Sequence, residues 1–212
     1  MRFWLYISAL LAMGALATPT YASEYSDAEI DRLNDRLIPV AARVETSSAE
    51  LCYAMGKHDC HVNIVMDPNA HGINAHADGH TIIVNPEMVA FAKSDTHLAF
   101  VLAHETAHQI MGHFNVQPRS QALLFLGEPP VRRNLSSIES QADYVGLYVL
   151  ANAGYPVEKA IDFWGRLSHA GLNGDDNGSH PSTASRSNAM QKTALEIRAK
   201  QRQHIALLPD ML

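Results

Sequence analysis

The spacing of apolar residues predicts helices along most of the chain. Between residues 26 and 50, apolar side chains such as Leu33, Leu37 and Val44 recur every three or four positions, as on one face of a helix. Pro39 lies inside this segment and is expected to bend or interrupt it. Further helices are predicted at residues 86–92, at 95–112 after an N-cap at Ser94 or Asp95, at 134–153, at 157–167 and at 182–203.

A small sheet is predicted between the first helix and the second. Its strands are the apolar segments HVNIVMD (61–67), INAHA (73–77) and HTIIVN (80–85). The second and third flank Asp78-Gly79, a dipeptide that favours a tight antiparallel hairpin. The predicted fold is therefore a mostly helical α+β domain with a small, mainly antiparallel sheet.

The N-terminus has the layout of a secretory signal peptide. Arg2 supplies one positive charge, an apolar run follows from Phe3, and small residues offer cleavage after Ala17 or Ala22. The run is shorter than the ~20 residues of a spanning helix, although an uncleaved anchor is the alternative. We expect residues 1–22 to be removed and residues 23–212 to form one periplasmic domain without a transmembrane segment.

Charge and cysteine content narrow the class of protein further. The formal net charge is -6 and no basic stripe occurs, which argues against nucleic acid as a partner. Cys52 and Cys60 are the only cysteines, and two thiols in an oxidising compartment tend to form a disulfide. A metal role through HDCH (58–61) is the alternative, but thiolate zinc sites usually show C-x-x-C spacing.

The stretch VLAHETAHQIMGHF (101–114) contains the pattern H-E-x-x-H inside a predicted helix. At about 100° per residue, His104 and His108 lie on one face, one turn apart, where two imidazoles can bind one zinc ion. Glu105 lies beside the first histidine, where a carboxylate can act as general base. The pattern predicts metal-assisted hydrolysis of an amide bond.

A third protein ligand is needed to leave one coordination position open. The predicted helix containing IESQADYVG (138–146) offers Glu139, with Asp143 one turn later on the same face. Glu139 would complete a His₂Glu set, and Asp143 would accept the ring N–H of a ligand, most simply His104. The alternative is a solvated helix face that carries two acids.

Four segments follow one another along the chain: NAHA (74–77), VLAHETAH (101–108), ESQADYVGLYVLANAGYP (139–156) and HPSTASR (180–186). In this order they resemble the HtpX-like and CAAX-prenyl-protease family of zinc metallopeptidases, which are gluzincins with a zincin-like fold. The resemblance runs from about Asn74 to Arg186 and departs at Ala107, where the family usually has glycine. It implies one Zn²⁺ per chain, with His104, His108 and Glu139 as ligands, Glu105 as base and Asp143 behind the ligands.

The resemblance also implies roles for His180 and Arg186. His180 would reach the site and stabilise the oxyanion, and Arg186 would brace that region. By its residues alone, His180 is a histidine of a Gly-rich loop, GLNGDDNGSHP (171–181), and has two other interpretations. It is a surface residue, or it occupies the open position of the zinc and holds the enzyme inactive.

The segment Asn74, Ala75, His76 and Ala77 is interpreted as an exposed edge strand that binds an extended peptide through its backbone. An ordinary hairpin strand is the alternative. With the family, this predicts a zinc endopeptidase that cleaves unfolded or misassembled proteins of the cell envelope, such as outer-membrane proteins. The rival hypotheses are a periplasmic chaperone or assembly factor whose proteolysis His180 keeps latent, and a zinc-stabilised structural domain.

Overall fold

The structure is a computed structural model that describes residues 25–78, 81–113, 135–169 and 183–210. The signal-peptide prediction for residues 1–22 and the roles considered for His180 therefore lie outside the described residues. The elements, in chain order, are α1 (Asp27–Ala54), β1 (Asn63–Met66), β2 (Ala75–Asp78), β3 (Thr81–Val84), α2 (Pro86–Phe91), α3 (Asp95–Met111), α4 (Leu135–Asn152), α5 (Glu158–His169) and α6 (Thr183–Arg202). The prediction of a mostly helical α+β fold is confirmed.

Helix α1 is longer than predicted and runs through Pro39. It extends over 28 residues without a break, so an interruption at Pro39 was a wrong expectation. Leu37, Val40 and Val44 are all buried against the rest of the molecule. This burial on both sides of Pro39 compensates for the hydrogen bond that the proline cannot donate.

The three strands form one mixed sheet in the order β1-β3-β2. Strands β2 and β3 are antiparallel, as the hairpin signal predicted, with His76 opposite Ile83. Strand β1 pairs with β3 in parallel, because residues 67–74 carry the chain across the sheet before β2 begins. Among the described strands, β2 therefore lies at an edge of the sheet, and it packs against α3.

Helix α3 is the central element of the core. It packs against α1, α4 and α5, and Leu98, Phe100 and Leu102 are all buried. The side chain of Ser94 accepts a hydrogen bond from the backbone N–H of His97, and Gly112 ends the helix with a φ of 71°. Both ends agree with the sequence prediction, and burial on several sides holds the helix in a fixed position.

A disulfide joins Cys52, in the last turn of α1, to Cys60, just before β1. Both cysteines are buried, so the predicted pairing is confirmed and neither thiol is available to a metal ion. In the described residues, no helix combines the length and the hydrophobicity needed to cross a membrane.

Candidate metal centre

Two buried histidines on α3 form the floor of the candidate site. His104 and His108 are each 7% exposed, and their Nε2 atoms lie 3.1 Å apart. One helical turn separates the two residues, so the predicted shared face is present. The Nε2 atoms of the two rings therefore face each other.

Helix α4 brings Glu139 to these two nitrogens. Its Oε2 lies 3.3 Å from Nε2 of His104, and its Oε1 lies 3.5 Å from Nε2 of His108. Ligands about 2.0–2.1 Å from a tetrahedral zinc ion are themselves about 3.3–3.4 Å apart. The Nε2–Nε2 distance and the two distances to Glu139, which involve a different carboxylate oxygen for each histidine, fall around that value, so the donor set fits a single zinc ion. In the described part of the chain, these three residues are the one group of three or more His, Cys, Asp or Glu side chains that could hold a metal ion.

The charges around His104 favour a cation at this place. Burial by itself lowers the pKa of His104, but the neighbouring carboxylates of Asp143 and Glu139 outweigh it and raise the pKa to about 10. In the absence of metal, a proton supplies the positive charge that the buried carboxylates require. A divalent cation held by the same atoms can replace that proton.

Asp143 lies behind His104, where the sequence placed it. Its Oδ1 is 3.1 Å from Nδ1 of His104. Arg186 donates to the same carboxylate through Nε at 2.7 Å and Nη2 at 2.8 Å. Although burial raises the pKa of Asp143, the hydrogen bonds from Arg186 and His104 lower it below its usual value. The ionised carboxylate is placed to hold the proton of a neutral His104 on Nδ1, which would leave Nε2 for a metal ion.

Arg186 contacts a second carboxylate of the site. Its side chain is 1% exposed, and Nη1 lies 3.3 Å from Oε2 of Glu139. The guanidinium group stacks on the ring of Trp164 on α5, with its central carbon 3.8 Å from the ring centroid. Arg186 thus contacts both carboxylates, while the bracing role expected of it near His180 stays a prediction. Trp164 was not among the predicted site residues.

A further pair of residues behind His108 was also missed. Nδ1 of His113 lies 2.9 Å from Nδ1 of His108, and Nε2 of His113 lies 3.1 Å from Oε1 of Gln141. Burial lowers the pKa of His113, which favours the neutral form of this ring. The available signal was the third histidine of VLAHETAHQIMGHF, five residues after His108.

The other predicted site residues are placed as follows. Glu105 follows His104 on α3 and is half-buried, so it is more accessible than either histidine. Asn74 and His76 are exposed, and Ala75 and Ala77 are half-buried. The segment from Asn74 to Ala77 thus includes most of β2, at the sheet edge that packs against α3.

Comparison with known proteins supports the resemblance seen in the sequence. The sequence profile of peptidase family M48 matches residues 40–128, from the middle of α1 through the sheet to α3 and its H-E-x-x-H pattern. A search of curated proteins finds no significant match. The match ends before α4, so the placement of Glu139 rests on the geometry of the structure. Over residues 40–128, which are less than half of its length, the chain is therefore similar to peptidase family M48, and the buried His₂Glu cluster could bind a metal ion.

Proposed function

We propose that the protein is a zinc-dependent endopeptidase. The observation that carries this proposal is the buried cluster of His104, His108 and Glu139, whose ligand atoms lie within 4.8 Å of one another, with Glu105 on the same helix. When bound there, zinc lowers the pKa of a water molecule and polarises a carbonyl group. Sulfur ligands are absent from the trio, and three protein ligands leave one position open, which favours catalysis over a purely structural site.

Different residues of the chain have different roles in the proposed peptide hydrolysis. Glu105 accepts a proton from the attacking water and passes it to the amine that leaves. Asp143 holds His104 in the tautomer that a metal ligand needs, and Arg186 holds Asp143. Because these groups are buried, their charges act with little screening by water.

The substrate is proposed to lie along the exposed edge of β2. A peptide in extended conformation can add to such an edge through backbone hydrogen bonds, which accept many side-chain sequences. Residues 74–77 would supply those bonds, next to the helix that carries the H-E-x-x-H pattern. We therefore propose unfolded or misassembled proteins of the cell envelope as substrates. The pattern of residues 1–22 supports the periplasm as the compartment.

The test replaces the general base without changing the ligands. Glu105→Gln should bind one zinc ion per chain but cleave casein at least about 100-fold more slowly, because the amide cannot accept the proton. Glu50→Gln makes the same chemical change at an exposed position of α1 and should be fully active.

Three results would contradict the proposal. Wild-type protein that binds no zinc lacks the proposed centre. Zinc-loaded wild type that cleaves nothing but prevents aggregation of unfolded outer-membrane protein is a chaperone. A variant Glu105→Gln that behaves as wild type, together with unfolding on chelation, indicates a structural zinc domain.

A further inference from the structure

We propose that His113 is a positioning residue that holds the zinc ligand His108 in its metal-binding tautomer, with Gln141 holding His113 in turn. This inference rests on the proposed zinc site. It assigns a role to two residues outside the His₂Glu set and outside the pair formed by Asp143 and Arg186.

The direction of the hydrogen bonds follows from the atoms that face each other. Oε1 of Gln141 is an acceptor, so Nε2 of His113 must donate to it at 3.1 Å. In a neutral ring the other nitrogen then accepts, and Nδ1 of His113 receives the N–H of Nδ1 of His108 at 2.9 Å. With its proton on Nδ1, His108 presents a bare lone pair on Nε2. The reverse arrangement would place a proton on Nε2, facing His104, and would block the bond to a metal ion.

The end of α3 explains why a residue five positions later reaches His108. Gly112 adopts a left-handed φ of 71°, which reverses the chain. The backbone N–H of His113 then donates a hydrogen bond to the carbonyl oxygen of His108 at 3.0 Å. The backbone N–H of Gly112 donates to the carbonyl oxygen of Gln109 at 2.9 Å. This is the Schellman motif, in which the residue after the glycine contacts the residue five positions earlier. That contact is usually apolar, whereas here it is a hydrogen bond between two imidazoles.

The two metal-binding histidines therefore have partners of different charge. His104 faces the carboxylate of Asp143, whose charge Arg186 balances. His108 instead faces the imidazole ring of His113, a group without a carboxylate's negative charge. The pair of His113 and Gln141 thus contacts His108 through polar atoms without placing a further carboxylate behind it.

The experiment measures zinc affinity rather than activity. Zinc-binding constants of the purified protein are determined by competition with a chromogenic chelator, and the visible spectrum of the cobalt-substituted protein reports the ligand geometry. His113→Phe keeps a ring in the contact but removes the acceptor, and it should weaken zinc binding by about 10–100-fold, the usual effect of losing such a partner. His113→Asn retains an oxygen near the position of Nδ1 and should recover most of the affinity. Gln141→Ala should give an intermediate loss.

The matched control is His97→Phe, on the same helix, where the ring packs against Phe163 at 5.1 Å between centroids. It should bind zinc as the wild type does. A variant His113→Phe with wild-type affinity and an unchanged cobalt spectrum overturns the inference while leaving the zinc site intact. Wild-type protein that binds no zinc instead overturns the proposed function. If His113→Phe does not fold, Gln141→Ala decides, and wild-type affinity in that variant is a negative result.

Discussion

The backbone of Gly146 on α4 lies directly against the backbone of His104 on α3. A methyl group at position 146 would be 3.2 Å from the amide nitrogen of His104, from its Cα and from the carbonyl oxygen of Ala103. These are backbone atoms of a central helix and cannot move aside individually. Gly146 therefore sets the distance between the helix that carries the two histidines and the helix that carries Glu139.

Gly146→Ala is expected to push α4 away from α3 and to weaken both folding and zinc binding. Overpacking of this kind costs about 1–3 kcal/mol in the free energy of unfolding. Because Glu139 moves with α4, its distances to His104 and His108 should lengthen, and zinc affinity should fall. Urea denaturation and chelator competition measure the two effects.

Gly165→Ala on α5 is the matched control. A methyl group at position 165 would contact nothing within 4 Å. This variant should be stabilised by roughly 0.5–1 kcal/mol, because alanine favours a helix over glycine. Equal stability and equal zinc affinity of Gly146→Ala and wild type would refute the role given to Gly146.

Replacing Arg186 is expected to destabilise the metal-free protein strongly. Arg186→Met removes the partner of two buried carboxylates, Asp143 and Glu139, and breaking a buried ion pair costs about 3–5 kcal/mol. Arg186→Lys keeps the charge but loses the two-pronged bond to Asp143, so it should recover only part of the loss.

The control for this prediction is Arg198→Met. Arg198 pairs with Glu158, and their side chains are 50% and 40% exposed. Such surface pairs contribute about 0–1 kcal/mol. Chemical denaturation of metal-free protein should therefore separate the two sites clearly, and similar losses in both variants would show that the buried position of Arg186 has no special importance.

The stability of the metal-free protein should fall at alkaline pH. The folded-state pKa of His104 is raised from 6.5 to about 10. A raised pKa contributes stability that is fully present below the unfolded value and is lost as the pH increases through the folded value. The melting temperature should decline between about pH 7 and pH 10. Asp143→Asn removes one carboxylate from His104 and should flatten this decline, whereas an unchanged profile in that variant would contradict the prediction.

Zinc binding should release a proton near neutral pH. In metal-free protein His104 is charged at pH 7, and a metal ligand must be neutral. Calorimetry in buffers of different ionisation enthalpy should therefore report about one proton released per zinc ion. Zinc uptake without proton release would show that His104 is already neutral before the metal binds.

Removal of the disulfide should lower stability without removing the metal site. Replacing Cys52 and Cys60 by serine reopens a loop with a sequence separation of 8, for which loop-closure entropy gives about 2.5 kcal/mol. A hydrogen bond of 2.7 Å from the backbone N–H of Ile64 to Glu45 still ties α1 to β1. The melting temperature should fall while zinc stoichiometry stays at one. Loss of zinc binding in the folded double variant would contradict this expectation.

Local sequence determined the features that depend on a few neighbouring residues. The cap at Ser94 and the left-handed turn at Gly112 fix the ends of α3. The four-residue spacing of His104 and His108 places both rings on one face of any helix that contains them. The antiparallel pairing of β2 with β3 and the pairing of two cysteines likewise follow from short-range or compositional signals. For such features the backbone geometry leaves few alternatives.

The remaining features of the fold and of the site depend on packing between segments that are distant in the sequence. Only the tertiary structure could therefore decide them. The continuity of α1 through Pro39 depends on burial of both its halves, and the parallel β1–β3 pair depends on the path of residues 67–74. Trp164 meets Arg186 only when α5 and α6 pack together. His113 lies beyond the end of α3, so a helical projection of the sequence does not predict which residue its side chain contacts. The sequence indicated the two histidines of the candidate metal site, but the close approach of α4 at Gly146 brought Glu139 to them.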